Sequence, residues 1–215
     1  MGAQMECQGR ERGTMNATVI HYSHPKLIKP ALYDLCLNNL HDVAPFPIVS
    51  IVCGEDEPRT PQNMFRTILQ GLEQCDTEYV FLAEHDVLYA QGHFLGPESL
   101  QQRFTAVYDM HVWTLDGKTS WPNGRMICAG LCANRQQLEA ETKHRIAHMD
   151  AGHKYVWSEP YRNVAAKYTG YCPIIDIRHG HNLTGPRKPA VVCRTYPPCH
   201  DKALIDAARN IINGE

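Results

Sequence analysis

Over the first ninety residues, apolar and polar positions switch between two periods. Thr18-Val19-Ile20-His21-Tyr22 reads as a first strand and Pro47–Cys53 as a second, both short apolar runs rich in β-branched residues. Between them Leu27, Ile28, Leu32, Leu35 and Leu40 fall near helical spacing, and Pro30 sets the start of that helix close to itself. Pro61 opens a second helix whose Met64, Phe65, Ile68, Leu69 and Leu72 share one apolar face. A third strand, Tyr79–Ala83, runs directly into Glu84-His85-Asp86. Strand, helix, strand, helix, strand predicts an α/β single domain with a mostly parallel central sheet flanked by helices.

The pattern weakens afterwards. Gln91–Phe104 carries little period and reads as loop. His111–Leu115 reads as a strand, and Arg125–Gly130 as its pairing partner. Gln136–Met149 is helical in character, Ile174–Ile177 is a short strand, Pro186–Pro198 is extended or loop, and Lys202–Ile212 is a final helix. Residues 1–15, polar and rich in Gly, Glu, Arg and Gln, read as a loose leader, which leaves residues 16–215 as one domain.

Composition narrows the class. With 43% hydrophobic and 20% charged residues in 215, a sizeable core can form. The net charge of −2 offers no global field for nucleic acid, although a local patch stays open. No apolar run is long enough for a membrane span, and the first fourteen residues lack an apolar signal segment, so the expectation is a cytoplasmic protein with no membrane partner. Nine scattered cysteines then read as reduced thiols. The absence of a Gly-Lys-Ser phosphate loop, of a Gly-x-Gly-x-x-Gly turn and of a Gly-x-Ser-x-Gly elbow disfavours P-loop NTPases, dinucleotide oxidoreductases and serine hydrolases.

Two polar clusters follow predicted strands. Glu84-His85-Asp86 ends the third, where open α/β sheets bind ligands. Mg²⁺ or Mn²⁺ takes hard oxygen ligands, often one or two carboxylates plus substrate phosphates, so Asp86 is the candidate ligand and Glu84 its support. Taken alone, such an acidic tripeptide is more often a solvated strand end. His179-Gly180-His181-Asn182 follows the strand at 174–177, and either imidazole could complete a metal shell, with Arg178, Arg187 or Lys188 near phosphates. Here the plainer alternative is a polar turn. Glu159, among aromatics, is a weaker candidate for a general base than for a surface turn. Trp113, Trp121 and Trp157 could stack on a sugar or base but default to core packing. His144-x3-His148-x4-His153 is spaced like a zinc-protease helix. Arg145 stands where that mechanism needs a glutamate, so exposed helix histidines are the favoured reading. Cys128 and Cys132 do not make a zinc ribbon and read as buried thiols.

On Tyr-Val-Phe-Leu-Ala-Glu-His-Asp-Val-Leu-Tyr at 79–89, Asn63-Met64-Phe65-Arg66, and Asp176–Thr184, the chain resembles small glycosyltransferases of the glycosyltransferase-A fold, in particular family-2-like versions from bacteriophages. The resemblance spans roughly residues 17–190. The first acid of the motif is Glu84 and its middle residue His85, a departure from Asp-x-Asp. It implies a glycosyltransferase-A, Rossmann-like catalytic domain that moves a hexosyl or pentosyl group from a nucleoside-diphosphate sugar to an acceptor hydroxyl, with Mn²⁺ or Mg²⁺ as cofactor. It implies a nucleotide pocket built from His21, Tyr22, Ser23, Glu55, Asp56, Asn63, Arg66 and His85, and a modified pyrimidine in phage DNA as one acceptor, in host cytoplasm. Lys143, Arg145, Lys154, Arg162, Lys167, Arg187, Lys188 and Arg194 give the second half a basic bias that suits a phosphate backbone as well as ordinary solvation. A binding module without catalysis and a nucleotidyltransferase on a similar scaffold stay open as alternatives.

Overall fold

The computed structural model describes residues 15–24, 28–95, 105–109, 112–115, 127–153, 160–161, 165–168, 174–177 and 201–214. The alternation in the first half is realised as β1 (Ala17–Ser23), α1 (Pro30–Val43), β2 (Ile48–Val52), α2 (Pro61–Glu73) and β3 (Tyr79–Glu84). Both helices begin on a proline, whose missing N–H would be unsatisfied there anyway. Thr60 caps α2 by accepting the Asn63 N–H. Then follow β4 (Val87–Leu88), α3 (Gln91–Leu95), β5 (Ala106–Asp109), β6 (Val112–Thr114), β7 (Leu131–Asn134), α4 (Arg135–Asp150), β8 (Ala166–Tyr168), β9 (Ile174–Asp176) and α5 (Lys202–Asn213).

The larger sheet has the order β2-β1-β3-β7-β5-β8. β1 pairs in parallel with β2 and β3, β7 runs antiparallel to β3 and β5, and β8 is parallel to β5. Five of its six strands therefore point the same way, the α/β arrangement with a mostly parallel central sheet. A smaller sheet, β4-β9-β6, stands beside it. Strand alternation sorts the side chains. Ile20, Tyr22, Val80 and Leu82 face α2 and α4, while Ala17, Val19, Phe81 and Ala83 face Leu40 of α1, Tyr89, Phe94 and Val112. A third apolar cluster, with Leu32, Leu88, Trp113, Ile175, Ile177 and Ile205, joins the smaller sheet to α1 and α5. Lys29 Nζ reaches the carbonyls of Ile211 and Ile212 at 2.6 and 3.2 Å, so a cation at the foot of α1 meets the negative end of α5.

Some expectations fail for reasons of chain geometry. The stretch 125–130 was expected to pair with the strand at 112–114. Instead Cys128–Gly130 make a 3-10 turn, and the strand begins at Leu131 in the other sheet, between β3 and β5. Leu131 and Ala133 then face one core and Cys132 the other. Gln91–Leu95 is helical rather than loop. β5 and β8, at four and three residues, are too short to show a period in sequence. α4 has only Leu138 and Thr142 buried. Three pairs one turn apart support it, Arg135–Glu139, Lys143–Glu139 and Arg145–Glu141, each a small, solvent-screened contribution. The expected leader and the stretch Pro186–Pro198 lie outside the described residues. Among the described residues no helix is long and apolar enough to cross a membrane.

α2 lies against β1 so closely that a Cβ on Gly71 would stand 2.5 Å from Ile20 Cγ2. Ile20 is fully buried and β-branched, so it has little room to turn away. Gly71→Ala is expected to destabilise the fold by about 1–3 kcal/mol despite its better helix propensity. Urea unfolding checks this, and a variant as stable as the parent would mean that α2 shifts freely on the sheet.

Candidate functional site

The site is assembled at the carboxyl ends of β1 and β3 and in the loop after β2. Glu84 is the last residue of β3 and stands opposite Tyr22 of β1. Directly opposed residues share a face, and the Tyr22 hydroxyl donates to Glu84 Oε1 at 2.7 Å. The Glu84 N–H in turn donates to the Tyr89 hydroxyl at 3.0 Å. Burial and the Glu84 charge hold both phenols well above the usual tyrosine range, so both keep their protons. Asn39 of α1 then takes the Tyr89 N–H on Oδ1 at 2.7 Å and donates Nδ2 to the Tyr89 carbonyl at 3.2 Å. On the other side, the Ile177 N–H donates to the Asp86 carbonyl at 2.8 Å, and Val87 and Leu88 pair with Asp176 and Ile175. The turn 85–86 is thereby tied to β1, α1 and β9.

The Glu84 and Asp86 charges both bear on the buried Tyr89 phenol, and each also has neighbours of its own. Glu84 shares the α2 face with Tyr22. Asp86, 5% exposed, lies where its charge acts on Cys36 of α1, on His21 and on Arg59. Burial first, and the Asp86 carboxylate second, push the Cys36 thiol far up, so it stays protonated. His21 is 1% exposed. Burial, then repulsion from His85 and His41, bring its pKa down to about 4 against the pull of Asp86, so the ring is neutral near pH 7. Its Nδ1 lies 3.3 Å from Ser50 Oγ. His21 Nε2, Ser23 Oγ and Arg59 Nε are buried with no hydrogen-bond partner among the described residues. Three such atoms in one corner are costly unless something polar meets them.

The acidic loop after β2 folds back over this corner. The Cys53 N–H bonds the Ser23 carbonyl at 2.9 Å, His24 Nε2 donates to the Glu57 carbonyl at 2.9 Å, and Cys53 Sγ donates to Glu57 Oε2 at 3.2 Å. Asn63 is buried and braces the loop through Nδ2 to the Pro58 carbonyl at 2.8 Å.

The sequence candidates thus divide. His21, Tyr22, Ser23, Glu84, His85 and Asp86 gather at the strand ends, with His85 half-buried. Glu55 and Asp56 are exposed in the loop. Arg66 instead reaches Asp150 of α4 at 2.8 Å, and Gln62 bonds the same carboxylate. Trp113 is a core residue of the smaller sheet. Cys128 and Cys132 are buried and form no disulfide. Lys143 and Arg145, offered for a phosphate backbone, are paired within α4. Glu159, Arg178, His179, His181, Arg187, Trp121 and Trp157 lie outside the described residues.

Arg59 was missed. Its signal was the single cation between the acidic loop and the α2 cap. Also missed was a buried pair, His93 Nδ1 to Asp109 Oδ2 at 3.1 Å, packed among Phe81, Tyr89 and Phe94. An acid ending an apolar run, Ala106-Val107-Tyr108-Asp109, was the trace it left.

No protein-family model matches the chain. No curated protein matches it either. Among solved structures it is similar to a glycosyltransferase involved in glycosylation of the major capsid of PBCV-1, at 11% identity and a TM-score of 0.46, covering 74% of this chain and 94% of that one. HddC from Yersinia pseudotuberculosis is similar at 11% identity and a TM-score of 0.43, over 75% and 93% of the two chains. The inositol-1-phosphate CTP transferase from T. maritima is similar at 9% and 0.39, over 94% and 98%.

The buried neutral imidazole has a consequence for acid stability. Unfolded, His21 takes up a proton near its ordinary 6.5, but folded only near 4. Protons therefore favour the unfolded chain. The cost is absent above pH 6.5 and grows to about 3 kcal/mol as pH falls to 4. In urea unfolding at pH 7, 6 and 5, His21→Asn is expected to lose less stability across that window than the parent. Parallel losses in the two proteins would place the acid sensitivity elsewhere.

Proposed function

We propose that this chain is a transferase that takes a nucleoside-diphosphate sugar at the carboxyl ends of β1 and β3 and passes the sugar to an acceptor hydroxyl, with Mg²⁺ or Mn²⁺ as its cofactor. The observation that carries this reading is the buried Asp86 carboxylate just past a strand end, whose charge acts on Arg59 and His21, together with buried unpartnered polar atoms of His21, Ser23 and Arg59.

The donor set fits a hard cation. Such ions are often held by one or two carboxylates and completed by substrate phosphates. Among the described residues no three His, Cys, Asp or Glu side chains are arranged around one point, so Asp86 would share the ion with the diphosphate. His179 follows Ile177 by two residues, a span of at most about 7 Å between Cα atoms, and the Ile177 N–H is bonded to the Asp86 carbonyl. That supports the His179 and His181 region as a source of further ligands, with Arg178 and Arg187 nearby in sequence for the phosphates. Bound there, a divalent cation supplies Lewis-acid neutralisation of the departing diphosphate.

The remaining work falls to side chains. Arg59 offers a charge-assisted donor to a phosphate oxygen. Tyr22 holds Glu84 in one orientation and takes up its Oε1, which makes Glu84 a positioning residue. His21, neutral, offers hydrogen bonds without adding charge. Asn63 acts through the loop it braces. Arg66, engaged with Asp150, contributes to α2–α4 packing, which leaves Arg59 as the better nominee for the phosphates.

The test is a thermal-shift panel of sugar nucleotides with and without Mn²⁺, followed by product analysis with the donor it names. The melting temperature is expected to rise most with donor and Mn²⁺ together. Asp86→Ala is expected to keep its fold and lose transfer by at least about 100-fold. Full activity of that variant, or of the parent in excess chelator, overturns the metal role. Release of pyrophosphate in place of a nucleoside diphosphate identifies a nucleotidyltransferase, and binding without product identifies a binding module.

A further inference from the structure

We propose that the C-terminal turn of α4 binds a transition metal such as Zn²⁺, Ni²⁺ or Cu²⁺, chelated by His148 and His153. The proposal does not depend on the sugar-nucleotide reading.

The turn has a defined cap. Gly152 takes φ +78°, which glycine adopts without strain. The Gly152 N–H bonds the Met149 carbonyl at 3.0 Å, and the His153 N–H reaches back to the His148 carbonyl at 3.3 Å. These two bonds define a Schellman motif, which brings together the side chains of the residue third from the helix end and the second residue beyond the cap. An apolar contact frequently sits there. In this chain both positions are histidine. Their rings lie 4.4 Å apart between centroids and 18° from parallel, and His144, one turn earlier, follows at 6.5 Å. All three residues are exposed, so core packing does not account for them.

Imidazole suits Zn²⁺, Ni²⁺ and Cu²⁺, which need no carboxylate. At a Zn–N length of about 2.0–2.1 Å in tetrahedral geometry, two donor nitrogens stand about 3.4 Å apart. The rings are stacked and no three donors converge among the described residues. Exposed side chains can rotate to that spacing without repacking the core, and the cap holds their backbones in place. Asp150 in the same turn is engaged with Arg66 and Gln62, which fastens the turn to α2. Arg145 occupies the position of a hydrolytic glutamate, so the site is a clamp on the end of α4 and not a protease centre. Its ligand chemistry also separates it from the Asp86 corner, where a hard oxygen donor favours Mg²⁺ or Mn²⁺.

Isothermal titration of the full chain with zinc, nickel and magnesium chlorides tests the proposal. Zinc and nickel are expected to bind and magnesium to give no heat at this site. His148→Ala and His153→Ala should each weaken nickel binding at least about tenfold. A His148→Ala/His153→Ala double variant that binds nickel as tightly as the parent overturns the site, as does a parent that binds neither nickel nor zinc.

Discussion

The turn between β3 and β4 is held by buried polar groups that have few alternative partners. Glu84 accepts from Tyr22 and donates its N–H to Tyr89, and both main-chain polar groups of Tyr89 are taken by the Asn39 amide. In a low-dielectric interior a satisfied network of this kind rigidifies its surroundings, because any other conformation strands a donor or acceptor. Asp86 therefore leaves the strand end in one direction. The tie from Ile177 to the Asp86 carbonyl extends the same restraint to β9, which lies about ninety positions further along the chain. The smaller sheet, the third apolar cluster and the placement of α5 all follow from where that turn goes.

The first half of the fold was legible because its information is local. Pro30 and Pro61 mark helix starts, β-branched runs mark strands, and α2 shows its apolar face at 3.6-residue spacing. The second half depends on pairings that no window of sequence contains. β7 is inserted antiparallel between β3 and β5, and its four residues, Leu-Cys-Ala-Asn, carry no period of their own. Its register comes from burial on both faces, with Leu131 and Ala133 on one side and Cys132 on the other.

The candidate site was legible in position more than in role. A charged tripeptide at a strand end directed attention to this corner. Glu84 is the last residue of its strand and accepts from the Tyr22 hydroxyl opposite it, whereas Asp86 lies in the turn beyond and its charge acts on Arg59. That difference needed the partner strand. Arg59 itself was hidden because a lone arginine in a Pro-rich acidic loop looks like surface charge. Its nearness to Asp86 arises only when the loop folds back through Cys53, His24 and Asn63.

The balance of charge in this corner bears on how a ligand could enter it. Among the described residues His21 is neutral and Arg59 is a cation whose charge is coupled to Asp86, so those two charges nearly balance. A diphosphate arriving alone would set two or more negative charges beside a buried carboxylate. Like charges at short range are unfavourable where the effective dielectric is well below that of water. The Arg59 guanidinium, already opposed by Asp86, offsets only part of them. On the function proposed above, a divalent cation arriving with the diphosphate would reverse the sign of the problem, since it would offset the carboxylate and the phosphates together. On this electrostatic ground donor and cation should bind each other's complex with the protein more tightly than either binds alone, and by linkage each raises the affinity for the other by the same factor.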